Sequence, residues 1–307
     1  MTGPIQPRSA RTPIFRVIFD RSAFHGARFD ALVDSPLLEL CGRGSVEVFH
    51  SQPFIEETLL TYAGGSGDPA WQKHLAYALD TCSGGFFLDR DDIWHDELVA
   101  GRGPFARYLL PKRGIRRTES HSEAMDRLRA AATSGDISVA WKESELEREA
   151  TKKKKANQRA IFSGIRSEIA QALKGGAVKG SLKDYPFAKF RASELIHTGR
   201  IFMDIVHRTR ARQLANIWSR DPQRFPFYTA FVEGAAYSGY YAAVEHNQPL
   251  DENAQVDFEQ LCYLTWADIF VSNDQKFMRR AFDAIWKPRG KRLFTAEEFA
   301  SLLKQLA

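Results

Sequence analysis

Two short apolar runs at opposite ends of the chain finish in the same way. The first, "FRVIF" (15–19), stops at Asp20; the second, Ile269 to Val271 within "ADIFVSNDQKF" (267–277), stops at Ser272, Asn273 and Asp274 before helical sequence resumes. Runs this short and this rich in Val, Ile and Phe read as strands buried on both faces, as in a parallel sheet. A carboxylate at the end of such a strand is costly to hold unless a metal, a basic side chain or a ligand meets it. This pairing of buried strand and terminal acid limits both the fold and the chemistry.

Each run sits in alternating strand and helix sequence. A helix around 28–40, broken by "CGRG", leads to a strand in "SVEVFHS" (45–51). "QPFIEETLLTY" then opens a helix with Pro53 at its start and Glu56 and Glu57 in its first turns. Near the other end "VDFEQLCYLTWA" reads as a helix, "DIFVS" as a strand, "DQKFMRRAFDAIW" as a helix and "KRLFT" as a short strand. "TAEEFASLLKQLA" closes the chain as a helix with Thr295 and Glu298 in a capping box. Neither end has enough strands for a covered parallel sheet, so both are expected in one sheet, an α/β fold. Between them, 63–249 is expected to be a basic, mainly helical insertion. Within it "DISVAW" (136–141) reads as a short strand, and the aromatics of 225–246 as core packing, with Gly234 and Gly239 allowing close approach. His197 and His207 are read as structural.

Composition narrows the class. The chain has 307 residues, 44% of them hydrophobic, ample for a globular core. Its apolar runs are far shorter than the roughly 20 residues a membrane helix needs. The opening "MTGPIQPRSARTPIF" has no signal-peptide core, so a cytoplasmic location is expected. Cys41, Cys82 and Cys262 lack metal spacing and read as reduced core residues. The net charge of +5 is unevenly spread, for 148–220 carries 17 Lys and Arg against 5 Asp and Glu. Such a segment attracts polyanions or is simply a solvated face.

Ligands of an open parallel sheet bind outside the carboxyl ends of its strands. Asp20 and Asp274 are written at that address. Glu57, about one turn into its helix, can reach the same rim, with Glu56 as the competing neighbour. Asp257 stands near the start of the helix before Ile269, with Glu259, Asp251 and Asp268 as competitors; Asp268 is expected at the opposite edge. Like charges at about 4 Å repel by roughly 4 kcal/mol at an effective dielectric of about 20. A hard divalent ion would relieve them, and an all-oxygen ligand set suits magnesium or manganese.

The order "VIFDRSAF", "SQPFIEETL", "VDFEQLCYLTWADIFVSNDQKF" and "LFTAEEFASLL" resembles the PIN-domain family of metal-dependent ribonucleases. The resemblance covers 1–62 and 250–307 and departs from the family in the long insertion 63–249. It implies a PIN-like three-layer α/β/α fold with a mainly parallel sheet and an endoribonuclease using magnesium or manganese in a two-ion site. By the same resemblance Asp20, Glu57, Asp257 and Asp274 are the catalytic and metal-ligating acids, and Ser22, Ser272 and Asn273 support them. Lys152, Lys153, Lys154 and Lys155, with Arg279 and Arg280, are candidates for guiding a phosphate backbone. RNA is the expected partner, with room for DNA or a branched substrate, a homodimer, or an inhibitory protein bound to a toxin. A non-catalytic module that grips RNA or protein is the reading from a different class.

Overall fold

The computed structural model describes residues 15–63, 70–87, 93, 96–98, 121–140, 164, 167, 171, 185–206, 210–241, 244 and 254–307. Five strands form one parallel sheet: β1 (Phe15–Phe19), β2 (Val46–His50), β3 (Gly85–Phe86), β4 (Ile269–Val271) and β5 (Arg292–Phe294). Their order is β3-β2-β1-β4-β5, which puts the two apolar runs side by side. Val17 is in register with Val48 on one side and with Ile269 on the other.

Alternate side chains enter two separate cores. Val17, Phe19, Val46, Val48, Ile269 and Val271 face one way, and Ile18, Phe49 and Phe270 the other. The first face is covered by α1 (Ala27–Val33), α2 (Leu37–Gly42), α3 (Gln52–Ala63), α4 (Ala70–Thr81), α5 (His121–Ser134) and, after the four-residue helix α6 (Ile137–Ala140), the last helix of the chain. The second is covered by α7 (Phe187–Val206), α8 (Ala211–Arg220), α9 (Pro226–Tyr240), α10 (Ala254–Cys262) and α11 (Phe277–Ile285). The last helix is α12 (Ala296–Leu306), and its Thr295–Glu298 capping box forms as the sequence predicts. This is a three-layer α/β/α arrangement. Parallel strands joined by right-handed crossovers must send their helices to opposite faces when the winding direction reverses. Here it reverses between β1 and β4.

The span 63–249 shares this sheet and both cores. Gly85–Phe86 adds a fifth strand beside β2, α4 packs on the first face, and α9 is buried along Phe227–Tyr240 between neighbours that include Phe258 of α10 and Phe277 of α11. A helix apolar all round belongs inside a core, so the aromatics of this stretch pack as expected. At Gly234 a Cβ would lie 3.0 Å from the Phe258 ring, which is the close approach read from sequence. Two buried carboxylates fix α9. Glu97 accepts the backbone N–H groups of Phe227 and Tyr228 at 3.0 and 2.8 Å, and burial pushes its carboxyl up to about 7. Glu233 takes Arg191 of α7 and Arg289 as ion-pair partners.

One expected strand is a helix. Ile137–Ala140 is helical because Gly135, at φ 74°, ends α5 in the left-handed conformation. Asp136 Oδ1 then accepts the Ser138 N–H at 2.9 Å and opens a new turn. The helix expected at 28–40 is likewise two, separated around Ser35 and Pro36. The three cysteines are free.

Gly199 of α7 faces Trp218 of α8, and a Cβ there would sit 2.3 Å from the indole ring. That ring is fully buried and donates to Thr229 Oγ1 at 3.0 Å, so it cannot retreat freely. Gly199→Ala should therefore destabilise the protein by about 1–3 kcal/mol, despite alanine's better helix propensity. Urea unfolding midpoints of the two proteins measure it.

Candidate functional site

The carboxyl ends of β1 and β4 mark the place where the winding reverses, and an open α/β sheet leaves its ligand crevice there. Phe19 and Val271 are the last registered pair, and the Asp20 N–H continues the ladder to the Val271 carbonyl at 2.9 Å. Asp20 and Ser272 thus emerge side by side although 252 residues separate them. Asp20 Oδ2 accepts the Ser272 hydroxyl at 2.7 Å and the Ser22 hydroxyl as well. The two serines then hold the following turn: Ser22 Oγ accepts the Asn273 N–H at 2.9 Å and Ser272 Oγ accepts the Asp274 N–H at 3.1 Å. Asp274 Oδ1 in turn accepts the Lys276 N–H at 2.6 Å, an Asx turn leading into α11.

The electrostatics here cost the fold stability. Asp20 is 5% exposed. Burial raises its pKa above the ordinary carboxylate value, the hydroxyls of Ser22 and Ser272 pull it down, and the Asp274 charge pushes it up again. Asp274 is half-buried and belongs to the same field. His25, missed in the sequence reading, borders that field; burial lowers its pKa, Arg21 and Arg28 lower it further, and Asp20 opposes them. Arg21 turns into the core, donating to the Phe24 carbonyl at 3.0 Å and reaching His74 Nδ1 at 3.3 Å.

Asn273 supports the turn from outside. Its Oδ1 accepts the Ala296 N–H and its Nδ2 donates to Glu297, both at 3.1 Å, tying the end of β4 to the first turn of α12. Glu297 also pairs with Arg28 of α1 at 3.8 Å. Ser22, Ser272 and Asn273 therefore gather around Asp20 and the turn that follows β4. Glu297 was missed, and its only sequence signal is an acid beside a capping threonine.

The other two predicted acids lie on neighbouring helices. Glu57 is half-buried on α3, and its Oε2 accepts from Gln260 of α10 at 3.0 Å. Asp257 is half-buried in the first turn of α10, one turn before Gln260. Since α10 runs down towards the start of β4, that first turn faces the carboxyl rim of the sheet. Asp268 lies at the opposite end, accepting the Arg16 N–H at 3.1 Å and pairing with Lys291 at 3.7 Å. Glu259 is half-buried on α10. Arg279 and Arg280 stand in the first turn of α11, and Arg279 pairs with Asp283 at 3.6 Å. The Glu56 side chain, Asp251, His207 and Lys152 to Lys155 lie outside the described residues.

Among the described residues no three His, Cys, Asp or Glu side chains form a group able to hold a metal ion. The structure brings Asp20 and Asp274 into one field and links Glu57 to the helix of Asp257, without gathering all four. Two carboxylates suffice for a hard ion that keeps much of its water, which is the usual habit of magnesium. The all-oxygen donors at the switch point and the desolvated charge of Asp20 fit such an ion.

Removing that charge should stabilise the metal-free protein. For a carboxylate whose folded pKa is raised, stability is complete below the unfolded value of about 3.9 and is lost as pH rises through the folded value. In chelator, Asp20→Asn should melt at a higher temperature than the wild type at pH 8. The difference should close as the pH falls towards about 4. Compared with protein-family models, with curated proteins and with solved structures, the chain matches none.

Proposed function

We propose that the protein is a divalent-metal-dependent nuclease with a PIN-like architecture, hydrolysing phosphodiester bonds within RNA. The observation that carries this reading is the meeting of Asp20 and Asp274 at the carboxyl ends of β1 and β4. A desolvated carboxylate held by two hydroxyls beside a second carboxylate is hard to justify as scaffolding, because it costs stability and makes no ion pair with a described cation.

Asp20 and Asp274 would hold a magnesium or manganese ion through carboxylate oxygens. Bound there, the ion supplies Lewis acidity at phosphorus and lowers the pKa of an attacking water. The protein's own groups do the rest. Ser22 and Ser272 fix the orientation of Asp20 by occupying Oδ2, and Asn273 holds the turn that aims Asp274. Glu57 and Asp257, on α3 and α10, supply further carboxylates at the same rim, as acceptors for the proton of the attacking water or as ligands of a second ion. Arg280, in the first turn of α11, would draw the phosphate backbone towards the acids, and Arg279 would join it on leaving Asp283. The water oxygen adds to phosphorus, the ribose oxygen leaves, and that oxygen takes a proton.

Labelled RNA and DNA oligonucleotides of the same sequence, incubated with manganese or with chelator, test the reading. Manganese-dependent internal cleavage of RNA is expected from the wild type, falling to background in Asp20→Asn and Asp274→Asn. Ser272→Ala should lose about 10- to 100-fold, as loss of an orienting partner does. Manganese should also raise the melting temperature of the wild type and not that of Asp274→Asn. Absence of metal-dependent cleavage of either substrate by the wild type, with no thermal shift, would overturn the proposal; cleavage of DNA alone would reassign the substrate.

A further inference from the structure

Several described surface arginines are neutralised by a neighbouring carboxylate. Arg28 pairs with Glu297, Arg43 with Glu39, Arg129 with Asp80 and Arg279 with Asp283. Others, such as Arg200, Arg210 and Arg292, are exposed without such a partner among the described residues, and one surface gathers three more. Along α8 and the 3-10 turn Pro222–Arg224 that follows it, Arg212, Gln213, Asn216, Arg220, Gln223 and Arg224 are all exposed. Among the described residues, none of these three arginines pairs with a carboxylate. The one exposed acid in this stretch is Asp221.

The surface is rigidly mounted. Ala211, Leu214, Ala215 and Trp218 bury the opposite side of α8, and the Trp218 ring is held by Thr229 and by the close approach of Gly199. At 1.5 Å rise per residue, Arg212 and Arg220 stand about 12 Å apart along the helix. A single small anion cannot bridge that distance, whereas a chain of phosphates can. Guanidinium groups bind phosphate oxygens through paired N–H donors, and the amides of Gln213, Asn216 and Gln223 can serve sugars and base edges between them. A membrane surface fits less well, because the apolar residues a helix would insert are already buried in the core. A protein partner would need an apolar or aromatic centre that this face lacks. α8 also belongs to the same covering layer as α10, the helix carrying Asp257.

We infer that α8 and the Pro222–Arg224 turn form a docking surface for the backbone of single-stranded RNA, separate from the candidate cleavage site. The choice of RNA among phosphate polymers rests on the nuclease reading. Binding of a fluorescein-labelled single-stranded RNA is measured by anisotropy with the full chain in chelator, over a range of salt concentrations. The combined variant Arg212→Gln/Arg220→Gln/Arg224→Gln should bind at least about tenfold more weakly at low salt. Its slope of log K against log salt should be shallower by about 2, close to 0.7 for each lost contact. A control variant, Arg43→Gln/Arg129→Gln, removes paired arginines elsewhere and should bind as the wild type does.

All substituted residues are exposed, and equal melting temperatures confirm that the variants fold. Unchanged affinity and slope in the triple variant, the same loss in the control, or no RNA binding by the wild type would each overturn the inference. So would loss of binding to phosphatidylserine vesicles with RNA binding intact. Cleavage is read separately: an inactive wild type whose RNA binding still depends on the three arginines removes the nuclease reading and leaves the docking surface. Active cleavage with arginine-independent binding does the reverse.

Discussion

The parallel pairing of β1 with β4 is the constraint from which the rest of the architecture follows. Parallel neighbours cannot be joined by a tight turn, so the chain must leave β1 and come back beside it, here some 250 residues later and after β2 and β3 have joined the sheet. Closing so long a loop costs less than its length suggests, because the entropy penalty grows only logarithmically. The return also lands on the far side of β1 from β2, which forces helices onto both faces and leaves a crevice at the reversal. Asp20 is the first position after β1 and Asp274 the third after β4, so the register that the core fixes brings both to that crevice.

The same pairing explains why the site is tense. The ladder bond from the Asp20 N–H to the Val271 carbonyl pulls the Asp20 carboxylate under the turn at 272–274, out of water. Two hydroxyls recover part of the lost hydration, but a hydroxyl carries no charge, and the Asp274 carboxylate adds repulsion. Placing valines at both serines would relieve the polar burden of the turn, yet would leave the N–H groups of Asn273 and Asp274 without their acceptors. The serines therefore serve two masters at once, the carboxylate below and the backbone above. That double use restricts the turn to small hydroxylated residues.

Much of this was legible in sequence wherever a local rule coincided with the tertiary demand. The strand ends at Asp20 and Val271, the capping box at Thr295, the placement of Asp268 at the opposite edge and the buried aromatic helix all follow from short-range pattern. The failures have equally specific causes. Residues 137–140 alternate like a strand, but Gly135 and Asp136 impose a helix stop followed by a helix start. β3 is two residues long and takes its conformation from β2, so no periodicity announces it. Glu97 and Glu233 carry no signal of their role in the sequence. Only the fold brings one to the start of α9, more than a hundred residues away, and the other between Arg191 and Arg289.

That last pair bears on how the charge of the chain is to be understood. The count over 148–220 treats every basic residue alike, but Arg191 lies within that segment and is spent on Glu233 inside the protein. Arg212 and Arg220 belong to the same count and meet no described carboxylate. A lysine or arginine attracts a polyanion only to the extent that its field is uncompensated at the surface. Among the described residues, the basic character of the segment thus includes a structural share, in which Arg191 ties α7 to Glu233 of α9, and an external share along α8. Sequence composition counts both alike, and only the position of a buried glutamate tells Arg191 from its neighbours.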